Sequence, residues 1–552
     1  MRSWAAIMLG ILATVACSVA CAGMCDAQEA GGSGYVIAGT VVNAVTGAAL
    51  VGARVSLAET RDRRRAVEVL TSEDGRFSFA GLPAGKFALD GAKSGYIPGG
   101  YEQHEQYSTA IVTGPEYATD KLVLKLMPTA TIAGRVLDEA GEPVRDARVE
   151  IFREDHSGGM DRVSPVTTAN SDDRGYFDAG GLRPGTFYVA VTATPWYAVH
   201  AQAGSDSGGA PNIPASLDVA YPMTFYGGAT DAEGAAPIAL KGGERQDIDL
   251  RLSPVAALRL LFHVPVDENG QPGPFSMPLL LKQVFDTPVQ ANPGGFQPVA
   301  PGVWEVTGIP AGHYDVRLQG TQSGQAPQFS EIDLERSGQD LSEVKGEPLG
   351  TLHVTLTMAE DEMLPANCVV GLRDARQRVV AFFPADEKGE VMFGTLKAGR
   401  YEIVVGSPDG KQYAVTQMTA GGKTTSGNGV DVGPGAVVNA TAEVAMGVVR
   451  VEGTAVKNGK PVAGVMVALV PNDPGTHVDL FRRDQSDFDG TFNLLGVVPG
   501  TYTLVAVEDA WGFAWMKPGV LARYVQHGQQ VIVGEKMRGA VHVPEAVEVQ
   551  VR

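Results

Sequence analysis

Apolar residues in this chain recur at fixed distances from a glycine, and they do so five times. Counting from Gly75, apolar side chains stand at +2, +4, +7, +12 and +14 (Phe77, Phe79, Leu82, Phe87, Leu89), with Gly85 at +10. The same offsets from Gly175 give Phe177, Ala179, Leu182, Gly185, Phe187 and Val189, and from Gly302 they give Trp304, Val306, Ile309, Gly312, Tyr314 and Val316. From Gly389 they give Val391, Phe393, Leu396, Gly399, Tyr401 and Ile403, and from Gly490 Phe492, Leu494, Val497, Gly500, Tyr502 and Leu504. Alternation at +2 and +4 is that of a strand with one buried face. The anchoring glycine usually follows acidic or polar residues (Asp74, Asp173, Lys388, Asp489), as in a turn where glycine takes a positive φ. The residue at +7 plugs the core, the glycine at +10 makes the next turn, and +12 and +14 begin a returning strand. The pattern predicts a β-hairpin.

Three copies carry a second signature upstream. Gly39 to Val41 precedes Gly47 and Val55; Gly134 to Val136 precedes Gly141, Pro143 and Val149; Gly453 to Ala455 precedes Gly459, Pro461 and Val467. These read as two strands joined by a glycine-centred turn. Alternating runs close several copies, among them Leu122, Leu124, Leu126 and Val547, Val549, Val551. With about seven strands per copy, the expected fold is all-β: a tandem array of about five Ig-like or transthyretin-like antiparallel β-sandwich modules. The expected boundaries are 34–128, 129–254 with a Gly/Ser/Pro-rich loop insertion near 204–214, a divergent third module at 255–346, then 347–447 and 448–552. A short helix near the C-terminus is expected from Pro518 to His527, with proline at its start and Gly528 at its end.

These residues resemble the carboxypeptidase regulatory-like repeat, a transthyretin-like or Cna-B-like sandwich within the broader carbohydrate-binding-like fold. The last module, from Gly453 through Pro474 and Phe481 to Asp509, resembles the final module of large exported multi-repeat bacterial proteins. The resemblance implies a non-catalytic accessory or surface domain with no ligand common to the family. Cna-B-like modules can carry lysine–asparagine isopeptide bonds with the lysine on the first strand; the matching strands here, Val36 to Val42, Thr131 to Leu137 and Val448 to Val456, contain no lysine.

The first 27 residues read as a secretory signal, with Arg2 before the apolar run Ala5 to Ala16 and small residues leading to Ala27. The run is about a dozen residues, short of the roughly 20 that span a bilayer. The residues before Cys17 and Cys21 lack the large aliphatic side chain of a lipoprotein signal, which argues against a lipid anchor. Cys368 alone remains beyond the signal, so no intramolecular disulfide framework is expected. The expected location is periplasmic or extracellular, with no later transmembrane segment. A formal charge of −19 argues against a nucleic-acid partner.

No catalytic constellation, metal site or cofactor is expected. A zinc peptidase needs a His and Glu three apart plus a distant His; His542 and Glu545 have the spacing, but no histidine follows. Asp206 to Gly209 looks like a serine-protease nucleophile segment, yet it lies in the expected loop insertion, which offers no rigid oxyanion hole. Asp484, Asp487 and Asp489 crowd oxygen ligands without the spacing of a calcium loop. The best candidate is Trp511, Phe513 and Trp515, whose period-2 spacing on a strand would present a row of aromatic faces to a sugar ring. Leu521, Tyr524 and Val525 of the expected helix are the alternative cover for those rings. The sequence therefore reads as an exported, non-catalytic binding, adhesion or structural scaffold. Its alternatives are a lectin-like polysaccharide binder and an accessory subunit of an exported hydrolase; the partners that fit are a polysaccharide or another envelope protein.

Overall fold

A computed structural model describes residues 34–552 apart from 157, 201–213, 265, 268–276, 319–326, 344, 359–362, 366, 408–411, 476 and 518. The expected signal at 1–27, the serine segment Asp206 to Gly209 and all but the last residue of the 204–214 insertion lie outside the described residues.

Apart from Val219–Ala220, which pairs with Val255–His263 of the third group, the described strands fall into five consecutive groups, each folded around its own core. In the first, Arg76–Leu82, Tyr35–Asn43, Leu122–Pro128 and Tyr96–Ile97 form one sheet, while Val67–Leu70, Arg54–Glu59 and Gly85–Ala92 run side by side in the other. Ile37, Phe77, Phe79 and Leu124 from the first sheet meet Val55, Leu57, Phe87 and Leu89 from the second in one buried cluster. The remaining groups repeat this plan, and their cores likewise draw on both sheets. In the last group Val547–Gln550 pairs with both Val449–Lys457 and Gly500–Val507, which joins the two sheets.

The repeat builds a different element from the hairpin its alternation suggests. Arg76–Leu82 pairs with Tyr35–Asn43, whereas Gly85–Ala92 pairs with Arg54–Glu59 in the opposite sheet. All five copies do the same, so the connection is an arch that carries the chain across the core. Period-2 alternation reports which face is buried and is silent on the pairing partner. The backbone device is at +6: Gly81, Gly181, Gly308, Thr395 and Gly496 have φ of 73, 77, 80, 56 and 67°, a left-handed turn that lets the +7 residue drop inward. The anchoring glycines are left-handed as expected, with φ between 70 and 78°. The +10 glycine opens the returning strand.

The +12 residue locks the arch. In the last three copies Tyr314, Tyr401 and Tyr502 each donate a hydroxyl hydrogen bond to the carbonyl four residues back, on Pro310, Lys397 and Val498, at 2.9, 2.8 and 2.9 Å. Burial pushes the Tyr314 and Tyr502 hydroxyls up to about 12.

One pairing departs from a purely antiparallel sandwich. In four groups the opening strand runs parallel to the closing one: Tyr35–Asn43 with Leu122–Pro128, Ala130–Leu137 with Arg245–Arg251, Gly350–Thr357 with Val437–Gly447, and Val449–Lys457 with Gly539–His542. The two approach closely, and a Cβ on Gly39 would sit 2.1 Å from the Leu122 carbonyl oxygen. The helix expected at 518–527 is shorter, Ala522–Val525. Among the described residues no helix is long and apolar enough to cross a membrane.

Candidate functional site

The aromatic segment does not form the expected strand. Asp509 has a left-handed φ of 51°, and a single 3-10 turn, Ala510–Gly512, follows it. Trp511 is half-buried: its indole N–H donates to the Gly464 carbonyl at 3.1 Å, and its ring stacks on His104 with centroids 5.0 Å apart and planes 5° from parallel. Trp515 is 9% exposed, with Phe481 5.3 Å away edge-on and the Arg483 guanidinium 4.2 Å from its centroid. Phe513 is half-buried between Tyr524 at 6.1 Å and the Arg552 guanidinium at 5.0 Å. Leu521 and Tyr524 pack in the same cluster as Trp515.

His104 belongs to the first group, so Trp511 lies where the two ends of the array meet. Around it, Arg483 pairs with Glu105 at 2.6 Å, and Gln485 donates to the Glu102 carbonyl at 2.7 Å and to Thr109 Oγ1 at 2.8 Å. Lys86 Nζ sits 2.5 Å from Asp487 and 3.5 Å from Asp489. Two bonds at Ala110 fix the register: its N–H donates to the Asp487 carboxylate Oδ1 at 3.0 Å, and its carbonyl accepts from Phe488 N–H at 3.0 Å. Phe488 itself packs against the core of the first group. The three aspartates read as weak calcium ligands are engaged here: Asp484 accepts from Asn493 N–H at 2.6 Å, Asp487 faces Lys86, and Asp489 accepts from Thr491 N–H at 3.1 Å. Burial raises Asp484 to about 6 and also raises Asp487, which the Lys86 charge partly offsets.

Other contacts tie the rest of the array together. Met516 N–H donates to the Gly159 carbonyl at 2.9 Å and Lys517 pairs with Asp161, joining the fifth group to the second. Phe285 of the third group inserts among Phe152, Tyr188 and Phe225 of the second, and Lys397 of the fourth pairs with Asp315 of the third at 3.1 Å.

Between the second and third groups lies a cleft of about 470 Å³, lined by Arg148, Glu150, His200, Tyr221, Lys282 and Tyr314 among others. Its ionisable groups already have partners within the protein. Arg148 pairs with Glu150 at 2.7 Å, His200 with Asp218 at 3.0 Å, and Lys282, whose pKa burial lowers, donates to the Thr230 carbonyl. His542 lies 3.3 Å from Glu452. Among the described residues no group of three or more His, Cys, Asp or Glu is arranged to hold a metal.

His104, Glu105, Tyr107, Lys86 and Arg483 were not singled out by sequence. Their partners lie several hundred residues away, so no local spacing betrays them.

No curated protein matches this chain. Among solved structures it is similar to the TIE protein of Bacillus anthracis at 13% identity, over 74% of each chain, with a TM-score of 0.18. A streptococcal ancillary pilin is similar at 16% identity over 52% of this chain and 100% of that one, TM-score 0.18. The minor pilin GBS52 of Streptococcus agalactiae is similar at 12% identity over 40% and 96%, TM-score 0.20. At these scores the three carry no argument about function. The family model of the carboxypeptidase regulatory-like domain matches residues 36–108 and 131–214, which stop short of the closing strands Leu122–Pro128 and Arg245–Arg251. These two stretches, under a third of the chain, are similar to the carboxypeptidase regulatory-like domain.

Proposed function

We propose that this chain is an exported, non-catalytic scaffold or adhesion protein whose five sandwiches form a closed array, the last module clasped onto the first. The observation that carries this reading is the use to which the polar and aromatic groups of the fifth module are put. Arg483, Gln485, Asp487, Phe488 and Trp511 all face the first module, and each is engaged there by a hydrogen bond, an ion pair or a ring contact. Groups spent on holding modules together are not free for acid–base or nucleophilic work, which needs a reacting atom within reach of an uncommitted side chain. Export rests on the signal-like segment at the start of the chain. A polysaccharide partner on Trp511 and Trp515 is not part of this reading, because His104 and Arg483 cover those rings.

Limited proteolysis of the secreted chain tests it. A clasped scaffold yields one resistant body in which fragments of the first and fifth modules co-purify after cleavage between them. Release of free first modules, or purified turnover of a peptide or glycoside substrate, would overturn the reading.

A further inference from the structure

We propose that the strand Val379–Pro384 pairs antiparallel with the same strand of a second copy of this chain, joining two fourth modules through one continuous sheet. This goes beyond the scaffold reading and does not depend on it. The strand is the edge of a four-stranded sheet whose order is Val379–Pro384, Val369–Asp374, Gly399–Gly406, Gly429–Val432, so among the described residues one of its sides has no partner strand. Val379, Val380, Phe382 and Phe383 are 55, 47, 69 and 47% exposed, and no charge lies between them. Natural edges are normally blunted by charge or cover, and an uncovered apolar edge is a template for another strand.

In the second and fifth modules the strand at this position is engaged by a neighbouring module, whereas Val67–Leu70 of the first is exposed but carries the charge of Glu68 within it. Arg162–Asn170 of the second module takes Asp286 of the third, where Val163 N–H donates to Asp286 Oδ2 at 2.9 Å. Arg482–Gln485 of the fifth is covered by the first module through Arg483 and Gln485. Val380 is the extra residue of a β-bulge, and Val166 is bulged likewise in the covered strand of the second module, so the bulge does not prevent engagement.

The occupant is a second copy because the segment is self-complementary. In an antiparallel pair directly opposed residues share an orientation, so a two-fold axis must fall on a residue. An axis at Ala381 sets Val380 against Phe382 of the other copy, and by symmetry Phe382 against Val380, the aromatic with β-branched pairing that stabilises sheets; beyond the bulge Val379 turns to the face of Arg373 and is not part of the match. The flanks agree in charge. Arg376 and Arg378 precede the strand, Arg378 being paired with Asp374 at 2.6 Å, and Asp386, Glu387 and Glu390 with Lys388 follow it, so antiparallel pairing brings the exposed Arg376 toward an acidic flank.

The test uses the full mature chain. With Ala381→Cys, the two introduced thiols face each other across the axis at Cα separations of about 4.5–5.5 Å, within disulfide reach. Mild oxidation is expected to give a disulfide-linked dimer, and Cys368 does not interfere because it is buried. Leu70→Cys, on the exposed edge strand Val67–Leu70 of the first module, is the control and is expected to stay monomeric. By sedimentation velocity, Phe382→Lys is expected to raise the dimer dissociation constant at least about tenfold. The proposal is overturned if Ala381→Cys cross-links no better than Leu70→Cys, or if Phe382→Lys associates like the native chain.

Discussion

Arg483 and Glu105 stand 378 residues apart in the chain and 2.6 Å apart in space, with side chains only 3 and 11% exposed. Tyr107 and Trp515 flank the guanidinium at 5.6 and 4.2 Å, so the cation is held by ring faces as well as by the carboxylate. A pair this buried is strongly coupled. Its attraction is offset by desolvation of both charges, while removing one partner leaves the other buried and alone.

Arg483→Met is therefore expected to destabilise the contact between the first and fifth modules by about 3–5 kcal/mol. Adding Glu105→Leu should recover much of that loss. Urea unfolding followed by tryptophan emission measures both. A double variant as unstable as the single would mean that ring contacts, and not the ion pair, dominate.

Thr395 occupies the left-handed arch position that is glycine in the other four copies, with φ of 56°. A β-branched residue is strained there, by an amount on the order of 1–3 kcal/mol. Thr395→Gly is expected to stabilise the fourth module by about 1 kcal/mol once the extra freedom of glycine in the unfolded chain is counted. Gly81→Thr is expected to do the reverse in the first module. A Cβ at Gly81 meets nothing within 4 Å, so any loss there is conformational. Denaturation midpoints of the two variants moving in the same direction would refute the arch assignment.

Tyr502→Phe removes the hydroxyl that bonds the Val498 carbonyl while keeping the buried ring. The expected cost is about 1 kcal/mol, that of a net buried hydrogen bond. Phe87 and Phe187 hold the same position in the first two modules, so the variant should fold. No change in the fifth module's melting would show that the ring alone closes the arch.

Asp484 gives the fifth module a pH signature. Its folded pKa is raised to about 6, chiefly by burial, above the ordinary carboxylate value, so the folded state holds the proton more tightly than the unfolded one. This group's stabilising contribution is full below about pH 4 and is lost as pH rises through about 6. Asp484→Asn keeps an acceptor for the Asn493 N–H. It should raise stability at pH 7 by roughly 1–3 kcal/mol and flatten the pH dependence between 4 and 7. Melting profiles of native and variant chains that stay parallel across this range would contradict the assignment.

The core was legible because burial imposes a period. Phe77, Phe79, Phe492 and Leu494 alternate as a half-buried strand must, and they are buried. Sheet partnership was not legible, because the same alternation serves a hairpin and an arch. The distinguishing residue, the left-handed one at +6, is glycine in four copies but threonine in the fourth. Trp511 to Trp515 misled in a related way: their spacing is strand-like, yet the left-handed Asp509 and the turn after it leave the rings packed on several elements. Arg483 reads in sequence as one charge in a polar run, and only the distant loop bearing Glu105 and Tyr107 makes it a buried anchor.

The closed array is tested most directly by small-angle scattering of the mature chain and its Arg483→Glu variant. One compact body of this length has a radius of gyration of about 24 Å, and five modules in a line roughly twice that or more. The native chain should lie nearer the compact value. Arg483→Glu sets a second negative charge against Glu105 and should shift the radius clearly upward as the first and fifth modules part. Native scattering already that of an extended chain, or a variant that scatters like the native protein, would contradict the clasp.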